Sequence, residues 1–195
     1  MRLTREFYQQ EALVVAEQLL GKLLVRKVAE EEIITKIVET EAYIGPEDKA
    51  CHAYQNKRTK RTKVMFKQGG YAYVYLIYGI HNCFNVVSGV EGKPEAVLVR
   101  AVEPVSNLEF IKSQRDIKSK RVEDLTNGPG KLSQALEIDR ELNGYDLTIG
   151  DQLYIKDTQQ SYEIEQDTRI NIDYAEEYRD KLWRFYIKNN SFVSK

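Results

Sequence analysis

Apolar positions recur at helical spacing over the first twenty residues and at strand spacing through much of the rest. Leu13, Ala16, Leu19 and Leu20 share one helical face, which predicts an amphipathic helix over residues 6–20 with Gly21 as its stop. Two short β-branched runs follow at 23–28 and 33–40, parted by an acidic turn. Pro46 then opens a polar stretch reaching about Lys67, and a loop of that length is expected to carry recognition. Over residues 71–78 the period of two puts Tyr71, Tyr73 and Tyr75 on one strand face and Ala72, Val74, Leu76 and Tyr78 on the other. A turn at Gly79-Ile80-His81 leads into a second strand at 82–88, so the pair is a β-hairpin with Tyr78, Ile80 and His81 at its tip.

Residues 95–102 form another strand. Arg100 is the only cation there, expected on the face of Leu98 and Val102 and needing an anionic partner. A helix is predicted over 104–122. In the Asn127-Gly-Pro-Gly-Lys-Leu132 stretch Asn127 can cap a helix and Pro129 can occupy an early position, leaving outward N–H groups that suit a phosphate as well as simple capping. The C-terminal third gives short strands at 152–155, 169–172 and 183–188. No repeat or linker divides the chain, so residues 1–195 read as one domain.

Composition narrows the function. A net charge of −1 excludes a protein that coats nucleic acid by its total charge, so any anionic partner must meet local patches. Residues 57–67 supply one, with six cations and no acid, and Arg58, Arg61 and the later Lys131 are the candidate backbone contacts. Taken alone, such a run is an ordinary solvated loop; its place beside the chemistry below gives it interest. No apolar stretch reaches the roughly 20 residues that span a bilayer, and two cysteines fit a reducing compartment, so a cytoplasmic protein is expected. A monomer is expected too.

Glu39 and Glu41 lie two apart on a strand and share a face, with Thr40 and Ala42 on the other. Glu41 is the candidate general base, able to activate water against an anomeric carbon, and Arg100 can pair with it. Tyr43 shares the parity of Glu41. With Tyr75 and His52 it could sandwich a planar ring, since base–aromatic stacking is worth roughly 1–3 kcal/mol. An exposed polar face and a tyrosine-rich core strand are the bland alternatives for each feature alone.

Taken in order, the stretch from Val38 to His52, Met65-Phe66, Tyr73-Val-Tyr-Leu-Ile-Tyr-Gly79, Asn85, Val99-Arg-Ala-Val-Glu-Pro104, Gly128-Pro-Gly-Lys-Leu132 and Arg184-Phe-Tyr-Ile187 resemble the 3-methyladenine (alkyladenine) DNA glycosylase family over nearly the whole chain. The resemblance implies an α+β fold: a single mixed domain on a curved antiparallel sheet, with flanking helices and a protruding hairpin. It implies a monofunctional enzyme of base excision repair that flips alkylated purines out of double-stranded DNA and leaves an abasic site. Glu41 would be the base and Arg100 would help place the water. Tyr43 would stack on one side of the damaged base, His52 and Tyr75 on the other. Asn85 would crowd the 2-amino group of normal guanine, and Tyr78, flanked by Ile80 and His81, would fill the gap left in the duplex. No cofactor and no metal is implied.

Two other readings compete. A metal enzyme would have to use Cys51, His52, His81 and Cys83, whose adjacent Cys-His and His-x-Cys spacings are poor for zinc. A non-catalytic nucleic-acid-binding module would use the tyrosines for stacking and the basic loop for phosphates.

Overall fold

The computed structural model describes residues 1–194. Its first helices are short, α1 (Arg5–Tyr8) and α2 (Ala12–Gln18), where the apolar spacing predicts a single one. The interruption comes from neighbours in space. Gly89 N–H donates to the carbonyls of Tyr8 and Gln10 at 3.0 and 2.9 Å, and the buried Glu95 carboxylate accepts from Ala12 N–H at 3.0 Å. These partners satisfy helix-end groups that a continuous helix would pair internally.

Strand β1 (Leu23–Val28) is followed by β2 (Glu31–Ile44), which runs on past the predicted end. Next come the hairpin β3 (Ala72–Ile77) and β4 (His81–Ser88), then β5 (Glu95–Pro104). Helices α3 (Leu108–Ser113) and α4 (Pro129–Ala135) precede β6 (Leu153–Lys156), β7 (Ile164–Asp167) and β8 (Arg184–Ile187). The strands form one open antiparallel sheet in the order β3-β4-β5-β2-β1-β6, with β8 joining β2 to β7, so the fold is α+β as expected. β2 is long because its edge away from β5 serves two partners in turn: β1 over residues 31–36 and β8 over 39–41.

The main core gathers Ala42, Ala72, Val74, Phe84, Val86, Val97 and Val99 from the strands with Val15, Leu19, Leu132 and Leu136 from α2 and α4. Each large side chain fully buried there contributes roughly 1.5–3 kcal/mol. The alternate residues of β2 to β5 are then left for a second cluster, built on Tyr73, Met65 and Phe66, and for polar groups.

Three further predicted elements differ. The helix expected over 104–122 shrinks to α3, because Pro104 ends β5 and the later residues bring one apolar group, Ile117, amid like charges that oppose a helix. Gly128, not Asn127, caps α4, while the Asn127 side chain accepts from Lys131 Nζ at 2.6 Å and donates to Asp124 at 3.3 Å. Residues 169–172 are not a strand; Arg169 is drawn into the interior and Asn171 has a φ of 60°, outside extended geometry. No helix among the described residues is long and apolar enough to cross a membrane.

Candidate active site

Directly paired residues of neighbouring strands point to the same face. The register sets Glu41 opposite Leu98, Leu98 opposite Asn85, and Asn85 opposite Tyr73, one row across four strands. Two residues along, Tyr75 faces Cys83, and on the other side Tyr43 faces Ala96. This face opens into a cavity of about 250 Å³ bordered by Tyr43, His52, Tyr75, Asn85 and Arg100, with Tyr78 and His81 also on its lining. Seven sequence candidates are thereby brought to one cavity, and the fully buried Glu41 stands behind it, bonded to Tyr43 and Arg100 of the lining.

Arg100 reaches Glu41 because the β2–β5 ladder is irregular. The register shifts on either side of Glu39 leave Val38 and Arg100 without partners, and such bulges re-aim side chains. Leu98 borders the cavity with Arg100, but Val102, beyond the irregularity, packs in the main core instead of sharing that face. Arg100 Nη1 lies 3.2 Å from Glu41 Oε1 and its Nε 3.5 Å from Glu39 Oε1. Burial works against the Arg100 charge, yet the carboxylates of Glu41 and Glu39 outweigh it and its pKa is raised.

The two glutamates have different work. Glu39 is consumed: Arg184 Nη1 donates at 3.0 Å, and the hydroxyl and N–H of Ser194 donate at 2.9 and 2.8 Å. Glu41 Oε1 takes Ile170 N–H at 2.8 Å in addition to Arg100, while Oε2 takes the Tyr43 hydroxyl at 2.8 Å. Two oxygens offer about four acceptor positions, so Oε2 keeps one for a water.

Tyr43 is pinned from outside the cavity. The Arg169 guanidinium sits 4.7 Å from the Tyr43 ring and 4.9 Å from the Trp183 ring, and forms a fork with the buried Asp48 at 2.5 and 2.9 Å. It also donates to the carbonyls of Ala42 and Tyr178. Desolvation again opposes the charge, and Asp48 overcomes it to raise the Arg169 pKa. Because Ile170 follows directly, one ion pair fixes both the aromatic wall and a donor to Glu41. Sequence reasoning gave neither Asp48 nor Arg169 a role. A lone cation beside Ile170 and Ile172 was the available signal, the same that singled out Arg100.

His52 Nε2 meets Arg61 Nη2 at 2.9 Å, and Nδ1 meets the Tyr73 hydroxyl at 2.9 Å. A guanidinium can only donate, so Nε2 must accept and the ring must be neutral with its proton on Nδ1. Burial, then the Arg61 charge, pulls the His52 pKa down to about 4. The unfolded chain therefore takes up this proton near the ordinary pKa of about 6.5 while the folded one refuses it. The stabilising contribution is complete above that value and is lost as pH falls towards 4. In a proton NMR titration the His52 ring signals should stay flat from pH 8 to pH 5.5, and Arg61→Gln, which leaves the burial in place, should raise the midpoint only part of the way; a midpoint near 6.5 in the unaltered protein would contradict the buried, neutral ring.

Asn85 spends its amide N–H groups on the carbonyls of Tyr73 and Cys83, at 3.0 and 3.3 Å, so it cannot swing aside. At the hairpin tip Tyr78 and Gly79 have φ of 53° and 73°, and Ile80 N–H donates to the Ile77 carbonyl at 3.2 Å. Two positive values suit the tight turn that matches strand twist, but a bulky residue rarely adopts one, and such strain collects at functional sites. The turn takes Tyr78 out of the strand alternation and onto the rim, where it is 79% exposed and Ile80 71%.

The candidate phosphate contacts are engaged within the protein. Arg58 lies 4.8 Å from the Phe66 ring, Arg61 covers Tyr75 at 4.6 Å, and Lys131 is held by Asn127. Cys51, His52, His81 and Cys83 border one cavity, yet no three His, Cys, Asp or Glu side chains among the described residues converge as metal ligands. Burial also pushes the Cys51 thiol up to about 12, away from the thiolate.

An open sheet that holds a buried carboxylate and an arginine behind an aromatic slot has the parts of a hydrolase for a flat ring. The model of the family described as Methylpurine-DNA glycosylase (MPG) matches residues 6–191. A protein of Natranaerobius thermophilus is 60% identical over 196 residues, spanning 100% of this chain and 99% of its own length. One of Clostridium botulinum is 51% identical over 201 residues and all of both chains, and one of Desulfitobacterium hafniense 48% identical over 200 residues, 99% and 98% of the two. All three bear the name "Putative 3-methyladenine DNA glycosylase". The chain belongs to the methylpurine-DNA glycosylase family, and its activity is that of a DNA glycosylase, a hydrolase in the repair of alkylated purines.

Proposed function

We propose that the protein extrudes an alkylated purine such as 3-methyladenine from duplex DNA into the slot and hydrolyses its glycosidic bond with Glu41 as general base. The observation that carries this reading is the remaining acceptor position of Glu41 Oε2, behind a cavity that Tyr43, His52 and Tyr75 share. Water gives its proton to Glu41 and its oxygen to the anomeric carbon. The bond to the purine breaks with its electron pair passing to the ring, so a base alkylated to a cation leaves neutral and needs little acid. Arg100 helps place the water. No lysine is poised as a nucleophile in this scheme, so the product is an abasic site on an intact backbone. One chain supplies every group used, and a monomer suffices.

A cationic, electron-poor ring is attracted to tyrosine faces more strongly than a neutral base, by about 0.5–2 kcal/mol. Single-turnover release from duplexes that each hold one purine should therefore rank cationic alkylated bases first and normal purines last. Equal release of guanine and its alkylated form would overturn the reading. Asn85→Ser should raise release of undamaged guanine by roughly 10-fold or more, the scale on which small changes in pocket volume discriminate. Unchanged guanine release would remove Asn85 from the filter. Tyr78 fills the gap that the extruded nucleotide leaves, offsetting part of an unstacking cost of a few kcal/mol. Tyr78→Ser should consequently slow release from paired lesions far more than from lesions placed in a bulge; equal losses on both would contradict the plug.

A further inference from the structure

We propose that residues 112–121 form a second contact surface for the DNA backbone, on the His81 side of the hairpin. The segment carries Lys112, Arg115, Lys118, Lys120 and Arg121 against the single acid Asp116, in a chain whose acids outnumber its bases, 30 to 29. Lys112 is paired with Glu109 at 2.7 Å, and Arg121 Nε lies 3.8 Å from Glu123. Lys118 and Lys120 are exposed and form no ion pair among the described residues. Crowded like charges repel one another, and a partner outside the molecule is what offsets that cost.

The segment is tied to the mouth of the slot by an unbroken series of contacts. Ser119 donates its hydroxyl to the Asp124 carboxylate and accepts Arg121 N–H at 3.2 Å. Asp124 accepts from Asn127 at 3.3 Å, and Asn127 accepts from Lys131 at 2.6 Å. Beside Lys131, Gly130 comes so close to His81 that a Cβ there would lie 3.0 Å from the histidine side chain, and Gly130 and His81 both border the cavity. Arg115 Nη1 holds Gln134 of the same helix. The basic run of residues 57–67 flanks the slot on its His52 side, through Arg61. Two cationic segments are thus linked to the cavity that Tyr78 borders, one through Arg61 and His52 and the other through Gly130 and His81. A duplex, with one charge per about 1.7 Å of axis, offers a partner extended enough for both.

The inference rests on the slot being where the nucleotide enters, and one experiment separates the two claims. Affinity for an unmodified duplex is measured by fluorescence anisotropy across a salt series, for the wild type and for the triple variant Lys118→Gln, Lys120→Gln, Arg121→Gln. The log–log salt slope should flatten by about 0.9 for each phosphate that is no longer neutralised. Base release from a lesion duplex under saturating protein at low salt should be unchanged. Lys27→Gln, on β1 beyond β2 from the hairpin and paired with Glu32 at 3.5 Å, serves as the control and should leave the slope as it was. An unchanged slope in the triple variant, or equal flattening in the control, would overturn the surface. If the triple variant flattens the slope but the wild type releases no base, the surface stands and the reading of the slot fails.

Discussion

Glu41→Gln is expected to slow release of 3-methyladenine from duplex DNA by roughly 10²–10⁴-fold, the usual contribution of a positioned general base. Affinity for the lesion duplex should change little. Glutamine keeps the shape of the side chain. Its oxygen can face Ile170 N–H and Arg100 Nη1, and its NH₂ can face Tyr43, whose hydroxyl can turn to accept as readily as it now donates. Glu39 remains near Arg100, so that cation is not left alone in the interior. What disappears is the acceptor able to take a proton from water. Single-turnover kinetics with an unaltered binding curve check this; wild-type rates in the variant would remove Glu41 from the chemistry.

Arg169→Leu should be strongly destabilising, because it leaves the fully buried Asp48 without its cationic partner. Breaking a buried pair from one side costs about 3–5 kcal/mol, on the order of 10 °C in Tm for a chain of this size. The double variant Arg169→Leu with Asp48→Leu should recover much of that loss, since apolar groups can replace an ion pair without leaving a stranded charge. Activity should not return with stability. Tyr43 would lack the guanidinium behind its ring, and Ile170 N–H would lose the anchor that aims it at Glu41. Thermal melts beside single-turnover rates separate these effects; a double variant as active as wild type would show that the pair serves folding alone.

Much of the site was legible because it follows from strand parity. Glu41, Tyr43, Tyr75 and Asn85 lie on regular strands, and the period of two brings them to one face once the strands are ordered. His52 comes from a loop, where parity says nothing; its ring and its place just after the strand that carries Glu41 were the guide. The rest depended on contacts that a linear pattern does not carry. The break between α1 and α2 is made by Gly89 and Glu95, far along the chain. Arg100 was correctly singled out as a cation in need of an acid, but the bulge that separates it from Val102 is a property of the paired strands. Arg169 looked like part of a strand, and bonds to Asp48, 121 positions away, and to the carbonyls of Ala42 and Tyr178 draw it behind Tyr43. The region after α3 shows the limit of helical periodicity: where charges replace apolar residues, spacing has nothing to bury.

The measurement that bears most directly on the central claim is product analysis after the purified protein meets a duplex with one methylated purine. The account predicts the free methylated base and a strand that stays whole until alkali cleaves it at the abasic site. Tight binding with the base still attached would mean that the slot recognises damage without hydrolysing it, and the role given to Glu41 would be wrong.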